Sequence, residues 1–233
     1  MEIPKAMWDS EYELQEPNVE GRAIDPELVE LCFDKGLGSF TGEHPVRIEE
    51  PHPAESYITG VDWAKQKDFT VVATFKIKAD GSWVCVAWQQ YRKLTWTLAV
   101  ARAYVQWNEY GGELIHDSTG LGTVVDDILR DHCRNRQEEK RITSFTMSRA
   151  SNNVIFMDYI AAIEQTKVVY PMIDFAYDEH RYTTLEDLFT SKGHPADSFV
   201  AGALAWSGRK TKLGKIAAAI STPKTSGWDL SVG

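Results

Sequence analysis

The amino-acid sequence predicts an α/β fold, a mixed sheet covered by helices on both faces. Three β-rich runs follow one another between Tyr57 and Tyr91, joined by short connections, as an antiparallel meander requires. From Thr95 onward helical and strand patterns alternate, the order that lays strands parallel. Between Gly112 and Gly120 a short apolar run ends in Asp117, the pattern of a central buried strand.

Residues 1–53 read as an extension outside the core, punctuated by prolines and glycines from Pro4 to Pro53. One short helix is predicted there, with Asp25 as N-cap, Pro26 at the first helical position and Gly36 as the stop. Tyr57 to Asp62 is the first strand of the domain proper. Phe69 to Ile77 and Trp83 to Tyr91 are β-branched and aromatic, and the Asp80-Gly81 turn makes them a hairpin. Thr95 caps a helix that Gly111-Gly112 ends, with Leu98, Ala101 and Val105 as its apolar stripe. Glu113 to Asp117 is the fourth strand, and Gly120 and Gly122 lead into a helix through Val124, Ile128 and Leu129. Ile142 to Met147 is the fifth strand. Asn152 or Asn153 opens the next helix, Lys167 to Tyr170 is a brief strand before Pro171, and one helix runs through Tyr182, Leu185 and Leu188. The last helix spans Ala196 to Trp206.

Bulk properties exclude several classes. A chain of 233 residues holds one sizeable domain with extensions. No apolar stretch is long enough for a membrane span, and the N-terminus lacks the basic and apolar regions of a secretory signal. Cys32, Cys85 and Cys133 have no CxxC spacing and read as reduced thiols, so neither a disulfide framework nor a zinc site is expected. A net charge of −9 argues against a protein that coats nucleic acid without specificity, yet carboxylates that hold metal add to that count. Residues 209–233 carry Arg209, Lys210, Lys212, Lys215 and Lys224 against Asp229, and read as a basic tail.

Three acids stand on hydrophobic ramps: Asp62 and Asp117 end strands, and Asp197 lies just inside the last helix. A desolvated carboxylate needs a partner charge or hydrogen bonds. Taken singly, Asp62 reads as a turn residue, Asp117 as an Asx turn before Ser118-Thr119-Gly120, and Asp197 as an acid favoured by a helix dipole. Together they are most simply reconciled by convergence on Mg²⁺ or Mn²⁺, whose hard character suits oxygen ligands. His116, alternating with Asp117, points into packing instead. Trp63 is expected to pack under its loop.

Strand, hairpin, helix and strand, with acids on the first and fourth strands and the last helix, is the layout of the ribonuclease H-like fold. Three stretches are more specific: Gly60-Val61-Asp62-Trp63 with Lys67-Asp68-Phe69-Thr70; His116-Asp117-Ser118-Thr119-Gly120-Leu121-Gly122; and Gly193-His194-Pro195-Ala196-Asp197-Ser198-Phe199. In this order they resemble the C-terminal nuclease domain of the large terminase subunit of tailed bacteriophages, over roughly residues 55 to 208. The resemblance implies a metal-dependent endonuclease that cuts concatemeric viral DNA during packaging. It makes Asp62, Asp117 and Asp197 the catalytic metal ligands of a two-metal Mg²⁺ or Mn²⁺ site, and matches Asp68 to an acid near the site in some relatives. It implies double-stranded DNA, a packaging ATPase domain, a small terminase subunit and a portal protein as partners, in the host cytoplasm.

The chain departs from that pattern in places. Many relatives carry two adjacent acids after the histidine of the third motif, where His194-Pro195-Ala196-Asp197 leaves one. A further acid is Val200 here, and a lysine on the helix after the fifth strand has no counterpart near Ser151 to Val154. No GxxxxGK[ST] phosphate cradle occurs, so the motor is not expected in this chain and residues 1–53 would lead toward it. The nuclease domain is expected over residues 54–208. Lys65, Lys67, Arg149, His194, Arg209 and Lys210 are the candidate DNA contacts. The competing expectations are a ribonuclease H-fold nuclease acting on branched DNA, of the Holliday-junction resolvase or integrase type, and a catalytically silent docking module.

Overall fold

Side-chain alternation along the central strands sorts the core into two layers. The structure, a computed structural model, describes residues 21–63, 69–119 and 124–221, with side chains of the last helix as far as Arg209. The strands are β1 (Phe33–Phe40), β2 (Val46–Arg47), β3 (Ser56–Asp62), β4 (Thr70–Ile77), β5 (Trp83–Tyr91), β6 (Glu113–Asp117), β7 (Ile142–Phe145) and β8 (Val168–Ile173). They form one sheet in the order β1-β8-β5-β4-β3-β6-β7, with β2 paired to β5. β3, β4 and β5 are the antiparallel meander, while β6 and β7 extend it in parallel on one side and β8 and β1 on the other. The helices are α1 (Pro26–Leu31), α2 (Trp96–Tyr110), α3 (Val124–Asp131), α4 (Arg136–Glu139), α5 (Arg149–Glu164), α6 (Asp174–Tyr182), α7 (Leu185–Phe189) and α8 (Asp197–Ser221).

On β4, Val71, Ala73 and Phe75 join a large core cluster with α5 and α8, whereas Val72 between them joins a smaller one with Ala99, Val100, Ala103 and Trp107 of α2. The sheet is thus covered on both faces, as predicted. α8 lies hard against β3. A Cβ on Gly60 would come within 2.0 Å of the Ala201 carbonyl and 2.7 Å of the Ala205 nitrogen, so only glycine permits this approach.

The structure differs from the sequence reading in several places. The last helix runs past Trp206 to Ser221, into the segment read as a basic tail, and the brief strand expected to stop before Pro171 continues to Ile173. Within the segment read as an extension, residues 22–48 are part of the core. Ala23, Ile24, Val29, Cys32, Phe33 and Val46 are buried, and β1 pairs with β8. Glycines at 36 and 38 hid a strand whose irregular register tolerates them. On α2 the predicted stripe faces outward, with Leu98 43% and Val105 52% exposed. The buried face includes a polar residue, Gln106, whose amide donates to Thr74 Oγ1 (2.9 Å) and Val72 O (3.3 Å). α5 begins at Arg149, because the Ser148 and Ser151 hydroxyls accept reciprocally from each other's backbone N–H, a capping box with serine at its third position. The single helix expected through Tyr182 and Leu188 is two, parted where Thr184 caps α7 together with Asp187.

Candidate functional site

β3 and β6 are parallel neighbours with Val61 beside His116, so the next residue of each, Asp62 and Asp117, stands at the same end of the sheet. By alternation both share the face of Gly60 and Ile115, the face on which α8 lies. Asp197 is the first residue of α8. The three carboxylates line one cleft of about 250 Å³, together with Thr119, Asn152 and His194. Side chains from three distant parts of the chain are brought together there.

Asp62 and Asp117 are only 9% and 8% exposed, so a carboxylate at either position needs partners to offset its desolvation. Asp117 Oδ1 accepts from the Thr119 N–H at 2.7 Å, the Asx turn that its sequence context suggests. Thr119 Oγ1 in turn accepts from the Met147 N–H at 2.6 Å, and Ser118 N–H reaches Phe145 O at 2.8 Å, so the end of β6 is stitched to β7. Asp197 Oδ2 accepts from the Phe69 N–H at 2.7 Å, and the Arg92 guanidinium covers the Phe69 ring at 3.9 Å. Turn residue and site residue are therefore compatible roles for the same carboxylate.

Glu179 of α6 supports the same helix start. Its Oε2 accepts from the Ser198 N–H at 2.8 Å, one residue beyond Asp197. Burial pushes the Glu179 carboxyl up to about 7, with the negative charge of Asp197 adding, while the bonds to Ser198 and the charge of Arg92 oppose. Asn152, on the first turn of α5, lines the cleft, and its Oδ1 is buried with no hydrogen-bond partner among the described residues. An amide oxygen in that state costs about 1–3 kcal/mol unless something fills the cleft to meet it.

Among the described residues no three His, Cys, Asp or Glu side chains are grouped closely enough to hold a metal ion as they stand. The donor set nevertheless fits a hard cation. Mg²⁺ keeps several of its own waters and uses one or two carboxylates plus substrate phosphates, so it does not require a closed cage of protein oxygens.

The other predicted residues scatter. His194 lines the cleft and is exposed; Arg149 is exposed at the start of α5, three residues before Asn152. Arg209 lies twelve residues along α8 from Asp197, roughly 18 Å at the helical rise. There its Nη2 is 2.5 Å from Asp158 Oδ1 and its guanidinium covers Trp206, so it is a packing and ion-pair residue away from the cleft. Lys65, Lys67 and Asp68, and the side chain of Lys210, lie outside the described residues. Trp63 (3% exposed) and His116 (fully buried) point into packing as expected. Sequence reasoning missed Asn152, Thr119 and Glu179 as parts of the site. Thr119 lay inside a quoted motif, whereas Glu179 carries no local signal.

No protein-family model and no curated protein sequence matches the chain. Solved structures do match in fold. The large terminase nuclease from thermophilic phage G20c, in a structure with bound zinc, is 19% identical with a TM-score of 0.60, over 77% of this chain and 95% of that one. The same nuclease with bound magnesium matches at 0.59 and 19%, over 77% and 94%. The large terminase nuclease domain of Thermus phage P74-26 matches at 0.59 and 18%, over 78% and 94%. The large terminase of bacteriophage HK97 matches at 0.52 and 12%, over 78% of this chain and 42% of that one. The chain has the ribonuclease H-like fold of phage large terminase nucleases.

Proposed function

We propose that this chain is a divalent-metal-dependent endodeoxyribonuclease that cuts concatemeric viral DNA during genome packaging. The observation that carries the reading is the single cleft lined by Asp62, Asp117 and Asp197, on a fold shared with nucleases that have been solved with bound metal. These three residues would hold Mg²⁺ or Mn²⁺, in a two-metal site. When bound, such ions acidify an attacking water and neutralise charge on the leaving oxygen of a phosphodiester.

The chain's own groups do the rest. The Thr119 and Phe69 N–H donors fix the rotation of Asp117 and Asp197, so their remaining oxygens present a defined direction to the cleft. Asn152 offers an uncharged polar group to phosphate or water without adding to the negative charge there. His194 on the cleft and exposed Arg149 at the start of α5 would be the contacts to the DNA backbone, with Lys65 and Lys67 following Asp62 in sequence. Double-stranded DNA is the substrate, and a packaging ATPase, a small terminase subunit and a portal protein are the partners, in the host cytoplasm.

Supercoiled plasmid incubated with the protein and Mg²⁺, Mn²⁺ or EDTA tests the reading. Nicking and linearisation with either metal and none with EDTA is the expected result. Cleavage confined to branched substrates would favour the resolvase-type alternative, and inactivity under every condition the silent docking module.

A further inference from the structure

Beneath the cleft, a chain of hydrogen bonds joins the two strand ends that carry its carboxylates. Trp63 directly follows Asp62, and His116 directly precedes Asp117. The Trp63 Nε1–H donates to His116 Nδ1 at 3.1 Å, and the rings meet edge to face with centroids 6.0 Å apart. An indole can only donate, so Nδ1 is the bare nitrogen and the imidazole proton sits on Nε2. The Asp117 carbonyl, 3.2 Å from Nδ1, therefore receives no proton from it. Nε2 faces Asp126 Oδ1 of α3 at 3.2 Å, and that carboxylate also accepts from Arg130 Nε (2.8 Å) and from Ser144 Oγ of β7 (2.5 Å). The bonds thus run from the end of β3, through β6, to α3 and β7.

Apolar packing alone would fill this space without fixing how the strand ends are rotated, since burial is non-directional. Hydrogen bonds to ring nitrogens are directional, and here each has a determined donor. We propose that Trp63, His116 and Asp126 are positioning residues that hold Asp62 and Asp117 at the spacing a hydrated divalent cation demands. The proposal rests on the metal-dependent reading above. Mg²⁺-type coordination tolerates little error, with oxygens at about 2.1 Å in near-octahedral array, so a small slip of one strand end weakens it. Outer partners that orient metal ligands typically cost 10- to 100-fold when removed.

The test is calorimetric titration of Mn²⁺ into the whole protein without DNA, with Asp62→Asn as control. Wild type is expected to bind and Asp62→Asn to lose binding. Asp126→Ala, which removes the acceptor for Nε2–H, should weaken binding roughly tenfold. Asp126→Asn keeps an acceptor oxygen while discarding the charge paired with Arg130, and should bind close to wild type. Trp63→Phe removes the donor N–H together with part of the buried ring, and should weaken binding with unchanged circular dichroism. Binding by Asp126→Ala equal to wild type overturns the proposal while leaving the metal reading intact. Asp126→Asn falling as far as Asp126→Ala also overturns it, because the ion pair rather than the histidine bond would then matter. Should Asp126→Ala fail to fold, wild-type affinity in Trp63→Phe is the overturning result. Absence of any Asp62-dependent Mn²⁺ binding would remove the metal reading itself, and this inference with it.

Discussion

Asp62 carries a burial cost that its chemistry explains better than its packing does. Asp62→Asn removes one negative charge from a cleft that holds two other acids, so plasmid cleavage should vanish while the thermal midpoint stays level or rises. Loss of both activity and stability would point to a structural carboxylate. Glu179 gives a pH dependence of definite sign. Its carboxyl, ordinarily near 4.5, is pushed up to about 7 by burial. Below its ordinary value both folded and unfolded chains are protonated there and nothing is lost. Between about pH 4.5 and 7 the unfolded chain gives up this proton while the folded chain keeps it, so stability falls across that window by at most roughly 3 kcal/mol. It levels off once the folded carboxyl is ionised too. Glu179→Gln should therefore raise the thermal midpoint near pH 8 and leave it unchanged near pH 4, as differential scanning calorimetry would show. The three aspartates were legible because a strand end is a local pattern. Glu179 and Asn152 were not, because only the packing of α6 and α5 around the start of α8 gives them their surroundings.

Elements differ in how plainly the sequence announces them. The meander was readable because its alternation and the Asp80-Gly81 turn agree. α2 misled because its buried face includes Gln106, while Leu98 and Val105 look like core and are not. The start of α5 was displaced because two serines, rather than an asparagine, build the cap. The contact between α8 and β3 has a sharp consequence. Gly60→Ala would drive a methyl group into the backbone of Ala201 and Ala205, and no rotamer relieves that. It should destabilise the protein by about 3 kcal/mol or more in urea melts, and displace Asp197 relative to Asp62.

At the scale of the whole molecule, residues 22–48 belong to the core that the later chain builds. They contribute Val29, Cys32 and Phe33 to the large cluster, and the Phe33 ring stacks on Tyr170 with centroids 5.1 Å apart. A fragment beginning at residue 54 should therefore lose its cooperative thermal transition or become aggregation-prone, while one beginning at residue 21 should melt cooperatively. Equal melting of the two fragments would contradict the burial seen here. None of this was legible from composition. Prolines and glycines mark irregular backbone, and irregular backbone can still pair when a distant strand supplies the partner.

β1 finds that partner at Tyr170 to Ile173. During synthesis it emerges more than a hundred residues ahead of that partner, and its edge stays unsealed until β8 follows. Contacts so far apart in sequence form slowly. Over that interval an unpaired strand edge is open to the wrong neighbour, so a nascent chain of this protein is most in need of chaperone cover until β8 has emerged.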